Sequence, residues 1–358
     1  MILAPTPESI DQVAARLRAG GIAAIPTETV YGLAANALDP NACAQVFAAK
    51  ERPTFDPLIV HLAGADPIQT LEESQLVNVE ALNDRARAHL RKLAERFWPG
   101  PLTLVLPKTA RVPDLVTSGL PSVAIRFPSH PIAQAILKAC GKPLAAPSAN
   151  RFGRISPTRA EHVLKELGDR VDLILDGGPC QIGLESTVLR IDPTGGLELL
   201  RPGKVSAEEI SQATGQSVFQ GTARLDSGPQ VAPGMLASHY APTKKLRMLS
   251  AAVADLNPSD LKAADFQSAT INGQIGLLVV LGDAQKAGRR LSDLLGVPVR
   301  PYTLSPMGNL NEAAQNLFAV LREMDTQADL SVLITEPGPQ GPGLAHAIRD
   351  RLTRASSG

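Results

Sequence analysis

The sequence predicts an α/β fold: a larger first domain on a twisted sheet of mixed parallel and antiparallel strands, then a smaller α/β domain. Three observations predict it. Short apolar runs suited to buried strands recur along the chain, and stretches with helical period lie between many of them. Some connections are not helical, which favours a mixed sheet over a purely parallel one. The pattern lapses near residue 211 and restarts near 245, and 358 residues are too many for one typical core. The expected division is a larger domain over residues 1–210, a linker over 211–244 and a small domain over 245–358.

The elements follow in order. Ile10, Val13, Ala14 and Leu17 fall on one helical face after Thr6-Pro7, a cap with proline at the first helical position. Gly20-Gly21 ends that helix, and residues 22–25 (IAAI) form a buried strand. Further strands are expected in LIVHL, LTLVLP, SVAIRF, PLAA, VDLIL, STVLRI and LELL, with helices near 41–50, 83–97, 131–140 and 158–167. Residues 211–242 are rich in Gln, Ser, Gly, Pro and Thr with little periodicity, which reads as a linker. Beyond Lys244, IGLLVVL and LSVLIT are strands, 311–324 is an amphipathic helix and 344–352 a last helix with basic residues toward its end, together a small Rossmann-like unit.

Composition excludes several classes. The net charge is +0 and aromatic residues make up 3%, so tight binding to a nucleic-acid backbone and base-stacking platforms are both disfavoured. Three cysteines far apart give neither a disulfide framework nor a CxxC metal spacing, which points to a reducing cytoplasm. The first residues lack a secretory pattern, and no apolar run is long enough to span a bilayer. The phosphate-loop, dinucleotide, nucleophile-elbow and zinc-protease motifs are absent.

What remains is a series of polar strand ends. PTETVYGL (26–33) follows the first strand. It reads as a capped turn, or as a turn whose Thr27 or Thr29 holds a small polar ligand. Lys50 and Arg52 complement a helix C-terminus, or grip a triphosphate. His61 sits inside a strand, where a satisfied structural imidazole is the commoner reading and substrate contact the other. Arg126 ends an apolar strand. It is paired with a structural carboxylate or clamps a substrate carboxylate, and spacing does not decide between the two. Ser186 follows a Gly-rich turn, and Arg201 closes another strand. Cys180 has no histidine partner adjacent in sequence. The segment APSANRFGRISPT (146–158) concentrates Ser148, Asn150, Arg151, Arg154, Ser156 and Thr158 in one stretch kept irregular by Gly153 and prolines, and suits an anionic ligand.

Taken together, these segments resemble the threonylcarbamoyl-AMP synthase family, the YrdC-like proteins, in its long two-domain form. The resemblance rests on PTETVYGL, K-x-R-P-x-x-x-P-L-I-V-H, FWPGPLTLVL, VAIRFP, APSAN-x-x-G-x-x-SPT, DGGPC-x-x-G-x-ESTV and LLRPG in that order, dense over residues 10–205, then PGMLASHYAP (233–242) in the linker. Each motif is weak alone, but seven in order are specific. The resemblance implies a sheet with a concave, positively charged face. It implies condensation of L-threonine, bicarbonate or CO2, and ATP to threonylcarbamoyl-AMP and pyrophosphate. The product would pass to a tRNA threonylcarbamoyl-transferase complex. It assigns Thr29, His61, Arg126, Ala146 and Ser186 to threonine. Lys50, Arg52, Asp56, Ser122, Ser148, Asn150, Ser156, Arg201 and Tyr240 go to the nucleotide, with Lys50 and Arg52 stabilising the pyrophosphate leaving group and Tyr240 acting as a lid. Mg²⁺ would ride mainly on ATP phosphates, so no metal motif is expected. The family often has Asn where this chain has Asp56, and a carboxylate there repels phosphates unless Mg²⁺ or Lys50 intervenes.

The expected assembly is a monomer or weak dimer, with no membrane and no stable nucleic-acid partner. Other readings are a module that binds double-stranded RNA or tRNA by shape, a carbamoyl-adenylate-forming domain with another acceptor, and a nucleotide-binding regulator. Steep salt dependence of RNA affinity without ATP turnover would mark the first.

Overall fold

The computed structural model describes residues 1–221, 230, 239–261 and 274–357. Much of the expected linker, including residues 233–238 of its PGMLASHYAP motif, lies outside the described residues. The chain divides into two compact units, one of Met1–Phe152 with Ser156–Leu236, the other of Gly153–Ile155 with Ala237–Gly358.

The first unit carries β1 (Ile2–Leu3), α1 (Pro7–Arg18), β2 (Ala23–Ile25), β3 (Gly32–Asn36), α2 (Pro40–Lys50), β4 (Ile59–His61), α3 (Pro67–Ser74), α4 (Asp84–Phe97), β5 (Leu102–Pro107), α5 (Asp114–Thr117), β6 (Ser122–Arg126), α6 (Pro131–Cys140), β7 (Leu144–Ala145), α7 (Ala160–Leu167), β8 (Leu173–Leu175), β9 (Thr187–Ile191), β10 (Leu197–Arg201), α8 (Ala207–Thr214) and β11 (Phe219–Gln220). One sheet holds its strands in the order β1-β8-β2-β3-β7-β4-β6-β5-β9-β10-β11. The sheet is mixed, as expected: β4/β6 and β5/β9 are parallel, whereas β2/β3, β4/β7, β5/β6 and β9/β10 are antiparallel.

The helices start where the sequence supplies caps. Thr6 accepts from the Ser9 amide at α1, Asp39 from Asn41 and Ala42 at α2, and Asn83 from Ala86 at α4. The sequence reading missed β3, because GLAAN lies in an unalternating run of small residues buried on both faces. It also passed over α8, which extends through residues 211–214 into the expected linker. Ser206 and Glu209 form its capping box.

Alternation decides where the site can be. Around β2, β3 and β8, helices cover both faces: Ala24, Leu33 and Ile174 pack with residues of α2 and α7, while Ala23, Ile25 and Leu175 pack with residues of α1 and α6. Around β4, β5, β6 and β9, Val60, Leu104, Ile125 and Leu189 meet Leu90 and Leu93 of α4 on one face. The opposite face has a small apolar patch of Ile59, Val105, Ala124, Val188 and Leu200. Period two puts His61, Thr103, Ser122 and Arg126 on this second face.

The second unit is a parallel sheet, β12-β15-β13-β14, formed by β12 (Leu246–Met248), β13 (Gln274–Leu281), β14 (Val299–Ser305) and β15 (Leu330–Thr335). Helices Ala284–Leu295, Leu310–Thr326 and Leu344–Ser356 accompany it. The expected Rossmann-like pattern omitted the first of these helices and β14, whose proline and half-buried residues give no apolar run.

Candidate active site

Arg126 lies on the sheet face opposite α4. It is 4% exposed, and its register partners are His61 on β4 and Thr103 on β5. Its Nη1 donates to Thr29 Oγ1 at 2.9 Å, its Nη2 to Glu28 Oε1 at 2.7 Å and its Nε to the Gly100 carbonyl at 3.3 Å. The structural carboxylate that one sequence reading required is therefore Glu28, which the reading of PTETVYGL passed over in favour of its threonines. Burial pushes the Glu28 carboxyl upward, but the Arg126 charge and hydrogen bond outweigh this and hold it below the usual carboxylate range. Thr27 shapes the turn: its Oγ1 donates to the Val30 carbonyl at 2.5 Å and accepts from the Thr29 and Val30 amides.

His61 is 2% exposed, with Nδ1 3.1 Å from the Ile59 carbonyl. Burial, then the nearby Arg126 charge, lower its pKa to about 3, so it is neutral at physiological pH. Ala146 is buried beside it, its amide bonded to the Ile59 carbonyl at 3.0 Å. Ser186 Oγ shares a hydrogen bond with Thr103 Oγ1 at 2.8 Å and accepts from Arg201 Nη2 at 3.1 Å. A register shift between Leu199 and Arg201 bulges β10, and Arg201 Nε then meets the Ser186 carbonyl at 3.1 Å. Thr29, His61, Arg126, Ala146 and Ser186 thus share one connected region.

The residues expected around the nucleotide fall into smaller groups. Lys50 Nζ is buried and donates to the Ser148 and Asn150 carbonyls, each at 2.5 Å. Burial and the neighbouring Arg52 charge draw its pKa well below that of an ordinary lysine. Lys50 therefore holds the 148–150 loop from behind. Asn150 Nδ2 donates to the Arg151 carbonyl at 2.7 Å, and Ser148 is partly exposed. Arg52 forms a buried pair with Asp56 at 2.9 Å and donates to the Asp56 and Pro57 carbonyls. The Asp56 carboxylate is thus set against a guanidinium in the same turn. Ser156 Oγ donates to Glu185, a buried acid of the ESTV motif with no role assigned from sequence. Ser122, half-buried, opposes Pro107 at the far end of β6. Tyr240 belongs to the second unit. It adopts φ +65°, with its ring 5.4 Å from Phe318 and the Arg351 guanidinium 5.3 Å from its centre.

Cys180 is buried, and burial, then the Glu28 charge, push its thiol up to about 12, which suits a protonated group rather than a nucleophile. Among the described residues no three His, Cys, Asp or Glu gather as a metal site, and no helix is long and apolar enough to cross a membrane.

Comparison with known proteins bears on the family and the fold. Residues 15–203 match the Sua5–YciO–YrdC family model, described as telomere recombination, and residues 205–357 match the C-terminal domain model of threonylcarbamoyl-AMP synthase. The chain belongs to this family. A threonylcarbamoyl-AMP synthase of Bacillus subtilis is 38% identical over 351 residues, covering 98% of this chain and 93% of that one. One from Pyrococcus abyssi is 35% identical over 342 residues, covering 95% and 92%. A crystal structure of P. abyssi Sua5 complexed with L-threonine superposes with a TM-score of 0.82 at 35% identity, covering all of this chain and 97% of that one. Membership of the threonylcarbamoyl-AMP synthase family, in its two-domain form, thus rests on both units and on the fold.

Proposed function

We propose that the chain is a threonylcarbamoyl-AMP synthase, an enzyme of tRNA modification that acts as a nucleotidyltransferase on L-threonine, bicarbonate or CO2, and ATP. The observation that carries this reading is the buried Arg126, held on the sheet face opposite α4 by Glu28 and Thr29 beside a neutral His61. A guanidinium has five N–H donors, and three here have protein partners, so donors remain for a substrate carboxylate. The L-threonine of the related P. abyssi complex carries such a carboxylate.

The chemistry asks little covalent work of the protein. The threonine amine, once neutral, bonds to the carbon of CO2 and gives up a proton, leaving a carbamate. A carbamate oxygen then bonds to the α-phosphorus of ATP as the bond to the β-phosphoryl oxygen breaks, releasing pyrophosphate. Arg126 fixes the carboxylate, and Ser186, tied to Thr103 and Arg201, lines the same pocket. Arg52 supplies charge on the nucleotide side. Lys50 acts by setting the Ser148–Asn150 loop through its two carbonyl contacts. Tyr240 is assigned to the nucleotide on family grounds. Mg²⁺ fits this donor set as a passenger on the phosphates, where it would neutralise their charge; the described residues offer no cage for it. Cys43, Cys140 and Cys180 are buried thiols outside any disulfide, in keeping with the expected reducing cytoplasm.

The test is incubation with ATP, Mg²⁺ and each amino acid in turn, with and without bicarbonate, measuring pyrophosphate. Release that requires both threonine and bicarbonate is expected, and release independent of either would sink the reading. Lys50→Ala and Arg52→Ala are each expected to slow release, and wild-type rates in both would remove their roles.

A further inference from the structure

Glu28 does more than face Arg126. Its Oε1 accepts from Arg126 Nη2 at 2.7 Å, while its Oε2, buried in a residue only 3% exposed, accepts no hydrogen bond. The Glu28 and Ser129 backbone amides lean toward the carboxylate and help to keep it charged, but neither meets Oε2 at hydrogen-bond geometry. A buried carboxylate oxygen without a donor costs free energy unless something completes it. On the other side of the same ion pair, Arg126 retains N–H donors that no described group accepts. One buried pair therefore presents a spare acceptor beside spare donors.

That combination has a matching ligand chemistry. An α-amino acid at neutral pH carries a carboxylate and an ammonium one carbon apart. Placed against a guanidinium–carboxylate pair it completes both, with no net charge added to a buried site. A ligand with a carboxylate alone would satisfy Arg126 but leave Oε2 bare and bring an uncompensated negative charge next to Glu28.

We propose that Glu28 is a substrate-binding and specificity-determining residue whose Oε2 receives the α-ammonium of the amino acid, making Glu28 and Arg126 a clamp for a zwitterion. This rests on the reading of the Arg126 region as the threonine site. It separates two jobs of Glu28: Oε1 orients the guanidinium, and Oε2 selects amino acids over carboxylates that lack the amine.

The test uses the full-length protein and two ligands, L-threonine and 3-hydroxybutanoate, which is threonine without its amine. Kd values are measured for wild type and Glu28→Gln, with ATP affinity as a check that the variant is folded. Wild type should prefer threonine. In Glu28→Gln the threonine Kd should rise about 10- to 100-fold, the range of a lost charge-assisted hydrogen bond, while that of 3-hydroxybutanoate holds or improves. Equal losses for both ligands would reduce Glu28 to a support for Arg126, and an unchanged threonine Kd would remove it altogether; either overturns the proposal. Should the variant not fold, wild type still decides: comparable affinity for the two ligands overturns the clamp. Wild type that binds ATP but no threonine would instead refute the reading of the site itself.

Discussion

At the scale of the residue, Arg126 shows why a planar fork matters. Lysine keeps the charge and could still meet Glu28, but offers one point donor in place of a guanidinium that bonds Thr29, Glu28 and Gly100 together. Arg126→Lys should raise the KM for threonine about 10- to 100-fold and leave the KM for ATP near wild type, which steady-state pyrophosphate assays read directly. His61 yields a prediction in pH. Its folded pKa is near 3 against 6.5 for the free side chain, so between these values the unfolded chain binds more protons. The contribution of His61 to stability is therefore fully present above 6.5 and is lost as pH falls toward 3, with a slope of at most about 1.4 kcal/mol per pH unit. Urea titrations across that window should show His61→Gln losing stability less steeply than wild type, and parallel curves would refute a buried neutral His61. Sequence alone brought Arg126 and His61 forward because polar groups inside apolar strands are conspicuous. It could not choose between a structural and a ligand-binding arginine, since that depends on Glu28, 98 positions away in the chain. The structure shows the two readings are compatible: the structural partner is there, and donors remain.

At the scale of the element, strand alternation was legible and approach distances were not. The period of two in SVAIRF and LIVHL is enough to place Arg126 and His61 on the same kind of face, but only the register shows that they are neighbours. The start of α1 was legible for the same local reason that forms it, with Thr6 capping where expected, whereas the caps Asp39 and Asn83 were not singled out. The capping box at Ser206 and Glu209 was equally readable, yet the low periodicity beyond it masked the helix. The glycine of LLRPG has a role that no periodicity reveals. A Cβ on Gly203 would lie 2.4 Å from the Thr187 nitrogen and 2.8 Å from the Ser186 carbonyl carbon, both backbone. Gly203→Ala must displace the segment that holds Ser186 against Thr103 and Arg201, at a cost of about 1–3 kcal/mol. Thermal unfolding should report that loss, and threonine affinity should fall with it. A variant with unchanged melting temperature and unchanged threonine Kd would show that the two segments can separate without consequence.

At the scale of the whole molecule, the division of labour follows from where the cores lie. The clusters around β2–β10 draw their buried residues from the first unit, and the cluster of Ile275, Leu277, Leu291 and Ile334 draws its own from the second. Every residue assigned to threonine, and Glu28 with them, belongs to the first unit. Tyr240 does not: its ring packs with Phe318 and Arg351, so the second unit fixes its unusual backbone. A fragment of residues 1–236 should therefore fold cooperatively and bind L-threonine within about threefold of the full chain, well under the tenfold that 1.4 kcal/mol would produce. Calorimetry on the fragment and the full chain makes the comparison. In the full chain, Tyr240→Ala should slow pyrophosphate release while leaving threonine affinity unchanged, because the residues proposed for threonine belong to a different unit. Loss of threonine binding in the fragment would mean that the first unit does not hold Arg126, Glu28 and Thr29 in place unaided, and the assignment of substrate recognition to its sheet face would fall with it.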